Sequence, residues 1–313
     1  LKEIYAPNGY VRGTEIQEFT FEYQGDKTTQ AVYEFTFEDV QTSVELSKAD
    51  LTDGKELPGA SLQVLDSNGT VVEEWISTDE PHLIRGLLVG ETYTMVETKP
   101  ADGYTTAESI EFKVEDTAEV QKHQMLDDVT KVEISKTDVT DSKEVPGAKL
   151  TILDKDGKVV ESWVSKKDPH MVEKLPVGTY TLREEQAPDG YLVAEEVSFE
   201  VKDTGEIQKV EMKDARPVGK LVLKKTDAED GSPLAGAEFE LRIKKSGKVV
   251  ATLVTDEEGV ATSGDIPIAS YKDGKMKKEI EYILVETKAP DGYVRSEKEE
   301  SIVFTYQDDK TKE

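Results

Sequence analysis

The chain has 313 residues, with 66 acidic against 39 basic side chains and a formal net charge of -27. That charge argues against a nucleic-acid partner, whose phosphates call for cations, and the acid is spread along the whole chain as a solubilising surface would be. There is no cysteine, which excludes disulfides and thiolate chemistry; no apolar run approaches the roughly 18 residues of a membrane span, and a signal peptide or anchor is expected only outside these residues. A hydrophobic fraction of 36% suits several small cores better than one large one.

In chain order, residues 1–43 read as the back half of a repeat. Glu3 stands five positions before Asn8-Gly9-Tyr10, as Glu97, Glu184 and Glu286 stand five before Asp102-Gly103-Tyr104, Asp189-Gly190-Tyr191 and Asp291-Gly292-Tyr293. Asp39 follows Phe37 by two positions on the same face of an extended strand, but no lysine-bearing front half precedes it.

Residues 44–129 and 132–216 are two complete repeats. Both consist of short alternating segments broken by turn signals such as Asp53-Gly54, Asn68-Gly69 and Asp156-Gly157, with almost no helical periodicity. About seven strands in about 85 residues predict a small antiparallel β-sandwich whose first and last strands can lie side by side. Linkers of a few residues, at Val129–Lys131 and Arg216–Gly219, predict an elongated rod of tandem sandwiches.

Three apolar stripes in each repeat end in a charge. Val44, Leu46 and Lys48 share one strand face, as do Tyr93, Met95 and Glu97, and Met125 with Asp127; the second repeat matches with Val132, Ile134 and Lys136, then Tyr180, Leu182 and Glu184, then Met212 with Asp214. Lysine to glutamate is 49 residues in one repeat and 48 in the other, and glutamate to aspartate is 30 in both. A buried ammonium or carboxylate costs several kcal/mol unless paired, so the three charges are expected to meet. Glu185 and Asp128 are rivals to Glu184 and Asp127 and fail by alternation, since they face the other way.

Residues 219–313 read as a third repeat lacking its last strand. Leu221, Leu223 and Lys225 share a face, as do Tyr282, Leu284 and Glu286, but an insertion from Ile266 to Glu281 lengthens the lysine-to-glutamate gap to 61 residues. Lys225 and Asp39 are thus left as unpaired candidates, and head-to-tail association joining them between molecules is one expectation.

Other features point to structure. Trp75 and Trp163 occupy equivalent positions and suit core or half-core roles. His82 and His170 also match and read as loop residues, one per repeat being too few for a metal site. The runs Asp50–Glu56 and Asp227–Pro233 echo calcium loops without the remaining ligands, so no metal and no cofactor is expected.

The frame KTDVTDSKEVPGAKLTILDKDGKVVESWVS, then LPVGTYTLREEQAPDGY, then VEMKDARP resembles the Cna B-type (SpaA-type, prealbumin-like) repeats of Gram-positive surface adhesins and pilins, and it covers nearly the whole chain. VETKPADGY inverts the usual Ala-Pro order at Pro100 and Ala101 without changing the offset from Glu97. The resemblance implies a self-generated amide from a first-strand lysine to a last-strand Asp or Asn, assisted by a glutamate: Lys48 to Asp127 with Glu97, and Lys136 to Asp214 with Glu184. Glu286 and Glu3 would be the matching glutamates of the incomplete repeats. Burial favours the neutral forms of an amine and a carboxyl, which are the reacting forms. The expected function is a cross-linked stalk of a cell-wall-attached extracellular protein, with neighbouring repeats as partners and no turnover of an external substrate. The alternative is an adhesin region recognising a host matrix protein or glycan, with the third repeat's insertion as the favoured place.

Overall fold

The computed structural model describes residues 1–27 and 30–311, and their regular structure is all β. The chain forms two compact units: Leu1–Lys131 with Glu173–Val177 and Val201–Ile207, and Val132–Val172 with Gly178–Glu200 and Gln208–Glu313.

The opening segment contributes only β1 (Tyr10–Val11) and β2 (Val40–Gln41), paired antiparallel with Tyr10 opposite Gln41. Between them, Phe19 lies 4.9 Å from Phe35 and Phe21 lies 5.3 Å from Tyr33, ring centre to ring centre, so the two aromatic runs face each other without forming strands. A two-stranded ribbon that joins no larger sheet among the described residues is marginal, and these rings remain exposed.

The first repeat contains β3 (Ser43–Asp50), β4 (Ser61–Leu65), β5 (Val71–Ile76), β6 (His82–Arg85), β7 (Thr92–Lys99), β8 (Ile110–Lys113) and β9 (Gln121–Asp127). They form a three-stranded sheet β6-β3-β9 facing a four-stranded sheet β5-β4-β7-β8. The buried positions alternate as the sequence dictates, with Val44, Leu46 and Lys48 inward on β3 and Tyr93, Met95 and Glu97 inward on β7. These apolar residues join Leu62, Val64, Phe112 and Met125 in one core between the sheets. The pairings of this repeat are antiparallel except β3 with β9, which is parallel and sets Lys48 opposite Met125 and Asp50 opposite Asp127.

The second repeat repeats this order with β10 (Lys131–Asp138), β11 (Lys149–Leu153), β12 (Val159–Val164), β13 (His170–Glu173), β14 (Gly178–Gln186), β15 (Val197–Val201) and β16 (Ile207–Asp214), in sheets β13-β10-β16 and β12-β11-β14-β15. His82 and His170 are strand residues rather than loop residues. Each opens its strand because the ring stacks on a tryptophan of the neighbouring sheet edge, His82 on Trp75 at 4.5 Å and His170 on Trp163 at 4.4 Å, and each bonds a glutamate, Glu73 at 2.8 Å and Glu161 at 2.6 Å.

The third repeat contains β17 (Val218–Gly219), β18 (Val222–Lys224), β19 (Glu238–Ile243), β20 (Val249–Val254), β21 (Val260–Thr262), β22 (Ile266–Pro267), β23 (Ala269–Lys272), β24 (Lys275–Glu279), β25 (Glu281–Lys288) and β26 (Glu300–Val303). Its four-stranded sheet β20-β19-β25-β26 is complete, but β18 pairs only with β21 among the described residues. The insertion forms the hairpin β23-β24, turned at Asp273 and Gly274 with φ of 53° and 64°, the left-handed pair that a two-residue hairpin loop requires.

Candidate cross-linking sites

In the first repeat β3, β7 and β9 bring three ionisable side chains into the core. Lys48 is 2% exposed, Glu97 5% and Asp127 0%. The Lys48 ammonium donates to Asp127 Oδ1 and lies 2.9 Å from Glu97 Oε1. In the second repeat Lys136 donates to Asp214 Oδ1 and lies 3.1 Å from Glu184 Oε2. The rivals fall elsewhere: Asp128 is half-buried and pairs with Lys131 at 2.8 Å, and Glu185 is exposed.

The electrostatics of each trio are those of two carboxyls competing for one cation in a dry core. Burial pushes Asp127 up to about 7, against the pull of Lys48 and with the repulsion of Glu97, and burial pushes Asp214 up to about 7 against the pull of Lys136. Asp127 Oδ2 and Asp214 Oδ2 are buried without a hydrogen-bond partner, and Glu97 Oε1, though near the ammonium, makes no aligned hydrogen bond. Such orphaned acceptors are costly as carboxylates and tolerable as protonated acids.

What orients the glutamates was not foreseen from alternation. Glu97 Oε2 accepts the backbone N–H of Ala107 at 2.7 Å, and Glu184 Oε2 that of Ala194 at 2.7 Å. Glu286 and Glu3 accept from Ser296 and Gly13 in the same way, always ten residues downstream. A second unforeseen element lies beside the lysine strand: Glu56 accepts the backbone N–H of Lys48 and Glu144 that of Lys136, each at 3.2 Å. The signal for both was recurrence at a fixed offset, which face-by-face reading does not use.

The incomplete repeats hold only part of the set. Lys225 pairs with Glu286 Oε1 at 3.0 Å, with Glu286 1% exposed but the lysine side chain 23% exposed. No aspartate joins them among the described residues. Glu3 and Asp39 are both half-buried, and no hydrogen bond or ion pair links them among the described residues. Asp39 nonetheless stands two residues before Gln41, the partner of Tyr10, as Asp127 stands two before Val129, the partner of Tyr104.

The insertion of the third repeat is occupied. Tyr271 of β23 donates its hydroxyl to Gly190 O at 2.5 Å and packs on Tyr191, ring centres 5.2 Å apart. The hairpin therefore spends its aromatic face on the second repeat rather than presenting it to a ligand. No group of three or more His, Cys, Asp or Glu among the described residues is arranged to hold a metal.

Residues 42–128, 130–216 and 219–313 each match the sequence model of the SpaA prealbumin-like fold domain. The chain belongs to this family. No match was found among curated proteins. Among solved structures the prealbumin-like chain is similar to the Bacillus anthracis TIE protein, at 28% identity and a TM-score of 0.53, over 87% of this chain and 50% of that one. It thus spans about half the length of that protein. A weaker match is to BcpA, the major pilin subunit of Bacillus cereus, at 19% identity and a TM-score of 0.46, covering 84% of this chain and 95% of the pilin. Another is to the shaft pilin SpaA of Lactobacillus rhamnosus GG, at 15% identity and a TM-score of 0.29, covering 56% of this chain and 97% of that one.

Proposed function

We propose that the chain is a structural, load-bearing region of a Gram-positive cell-wall-attached surface protein, in which the first two prealbumin-like repeats cross-link themselves. The single observation that carries this reading is the recurrence of a fully buried Lys-Glu-Asp trio at the same three strand positions of both complete repeats. The reaction balances without a cofactor. The neutral amine of Lys48 attacks Asp127 Cγ, an N–C bond forms, a C–O bond breaks, and the carboxyl oxygen leaves with two protons as water. Glu97, protonated, donates to the aspartate carbonyl oxygen and carries protons between amine and leaving group. Contact between the groups supplies a large effective molarity. Lys136, Asp214 and Glu184 do the same in the second repeat. The reaction happens once per site, so the protein turns over no substrate.

The mechanical consequence follows from where the bond lies. It would tie the first strand to the last across separations of 79 and 78 residues. In the chain-entropy treatment such a loop is worth roughly 4 to 5 kcal/mol, and tension applied at the two ends of a repeat would be borne by the bond rather than by the sheet. Intact mass is the test. The chain is expected two waters lighter than its sequence mass, with Glu97→Ala and Glu184→Ala each regaining one. A chain at full sequence mass would leave the lysines merely ion-paired and bring a ligand-binding role forward.

A further inference from the structure

Each repeat carries a turn of the form Asn/Asp-Gly-Tyr, and three of the four are covered by the repeat that follows. Gly9, Gly103, Gly190 and Gly292 all have φ between 82° and 87°, a conformation that suits glycine. A Cβ placed on Gly9 would stand 2.5 Å from Gly86 O, one on Gly103 2.5 Å from Lys174 O, and one on Gly190 2.6 Å from Met276 Cβ. Among the described residues nothing lies within 4 Å of a Cβ placed on Gly292.

The polar contacts recur with the same phase. Two residues after the tyrosine, the N–H of Arg12 is accepted by Asp116 at 3.0 Å, that of Thr106 by Asp203 at 2.8 Å, and that of Val193 by Asp309 O at 2.8 Å. On the other side, the linker residues Thr42 and Thr130 donate their N–H to Gly9 O and Gly103 O, each at 3.0 Å. Beneath the turn the tyrosine hydroxyl donates to an aspartate two positions after the repeat's lysine: Tyr104 to Asp50 at 2.7 Å, Tyr191 to Asp138 at 2.7 Å and Tyr293 to Asp227 at 2.6 Å. The first pair is met by Lys174, whose Nζ is 2.6 Å from Tyr104 Oη, and the second by Arg216 at 2.7 Å from Asp138. No lysine or arginine among the described residues pairs with Asp227. Tyr104 is 7% exposed and Tyr191 is fully buried, whereas Tyr293 is 43% exposed.

We propose that the Pro290–Arg295 turn with Asp227 is a docking face for one further prealbumin-like repeat of the kind formed by residues 42–128. The choice of occupant rests on an internal match: residues 284–313 align with 1–30 without a gap, including APDGYVR against APNGYVR, and the partner of the earlier copy in this chain is that first repeat. Such a repeat would lay backbone over Gly292 Cα, accept the N–H of Arg295 on the aspartate equivalent to Asp116, and return a linker N–H to Gly292 O. The inference is independent of whether any cross-link forms.

The test extends the full chain at Glu313 with a second copy of residues 31–129, so that the sequence runs on as it does after residue 30. Hydrogen exchange is read at Tyr293–Arg295 in the parent and the extended chain. At least about tenfold slower exchange there is expected on extension, lost again when the added copy alone carries Asp116→Ala; in the unextended chain Asp116→Ala is expected to speed exchange at Arg12. Unchanged exchange at Tyr293–Arg295 beside a protected added copy overturns the proposal, as does an Arg12 amide indifferent to Asp116. Protection in the parent that grows with protein concentration would also overturn it, by assigning the face to a second molecule.

Discussion

Asp50 stands opposite Asp127 in the parallel pairing of β3 and β9, so Lys48, two residues earlier, reaches diagonally forward to meet that carboxylate. Two strand residues span about 6.6 Å, close to the reach of an extended lysine side chain. The register therefore sets which carboxylate the lysine meets. Asp127→Ala is expected to leave Lys48 with Glu97 alone and to destabilise the first repeat by about 3 to 5 kcal/mol from the broken buried pair, over and above any cross-link. Denaturant unfolding followed at Trp75, in a Trp163→Phe background, reads that repeat separately. A loss under about 1 kcal/mol would mean that Glu97 alone compensates the buried ammonium.

The pH dependence of the proposed bond formation follows from the protonation of the acceptor carboxyl. The proposed reaction needs the acceptor carboxyl in its acid form, and burial has pushed Asp127 and Asp214 to about 7. Below that pH the acid form of the aspartate predominates; above it each unit removes about nine-tenths of it. Water loss in chains freshly made by cell-free synthesis is expected to keep a level rate from about pH 5 to about pH 7 and to slow roughly tenfold per unit above. A rate that rises with pH would assign control to deprotonation of the amine.

Much of this was legible because strands enforce a period of two. The buried faces of β3, β7 and β9 are the ones that alternation selects, down to the charges that end them. The parallel sense of β3 and β9 was not legible, since alternation is blind to strand direction. Nor was the loss of strand structure in residues 12–27 and 30–39, where the pattern is present but, among the described residues, the sheet it would join is not. The Asp50–Tyr104 and Asp138–Tyr191 pairs escaped for another reason: both partners are common turn residues, and only their placement beside a covered glycine gives them meaning. Burial alone would raise Asp138, yet the hydrogen bonds from Tyr191, Thr140 and Arg216 together hold it below the usual carboxylate range.

The third repeat should behave as the weak member of the set. Among the described residues Lys225 ion-pairs with Glu286 alone and β18 has one strand neighbour. Lys225→Ala is expected to leave the intact mass deficit at two waters, and mild proteolysis of the parent is expected to cut within residues 219–311 before either complete repeat. First cleavage within residues 44–129 or 132–216 would contradict the ranking.

The hairpin of the third repeat offers the sharpest test of its role as a strut. Gly274 has φ of 64°, and a Cβ there would stand 2.3 Å from Glu144 O and 2.8 Å from Pro146 Cδ, both parts of the second repeat that cannot swing aside. Beside it the Arg216 guanidinium lies 4.1 Å from the Tyr271 ring centre, and burial pushes the Tyr271 hydroxyl up to about 12. Gly274→Val adds both left-handed backbone strain and a backbone collision, each worth about 1 kcal/mol or more. The hairpin should keep its fold through its own ladder while losing its seat. Exchange at Gly190 and Tyr191 is then expected to quicken while that at Leu241 and Tyr282, in the third repeat's own core, holds. Tyr271→Phe, which removes only the hydroxyl bond to Gly190, should give a smaller change of the same sign, about 1 kcal/mol. Equal quickening in the third repeat's core would show that the hairpin holds its own domain together instead of bracing the second repeat.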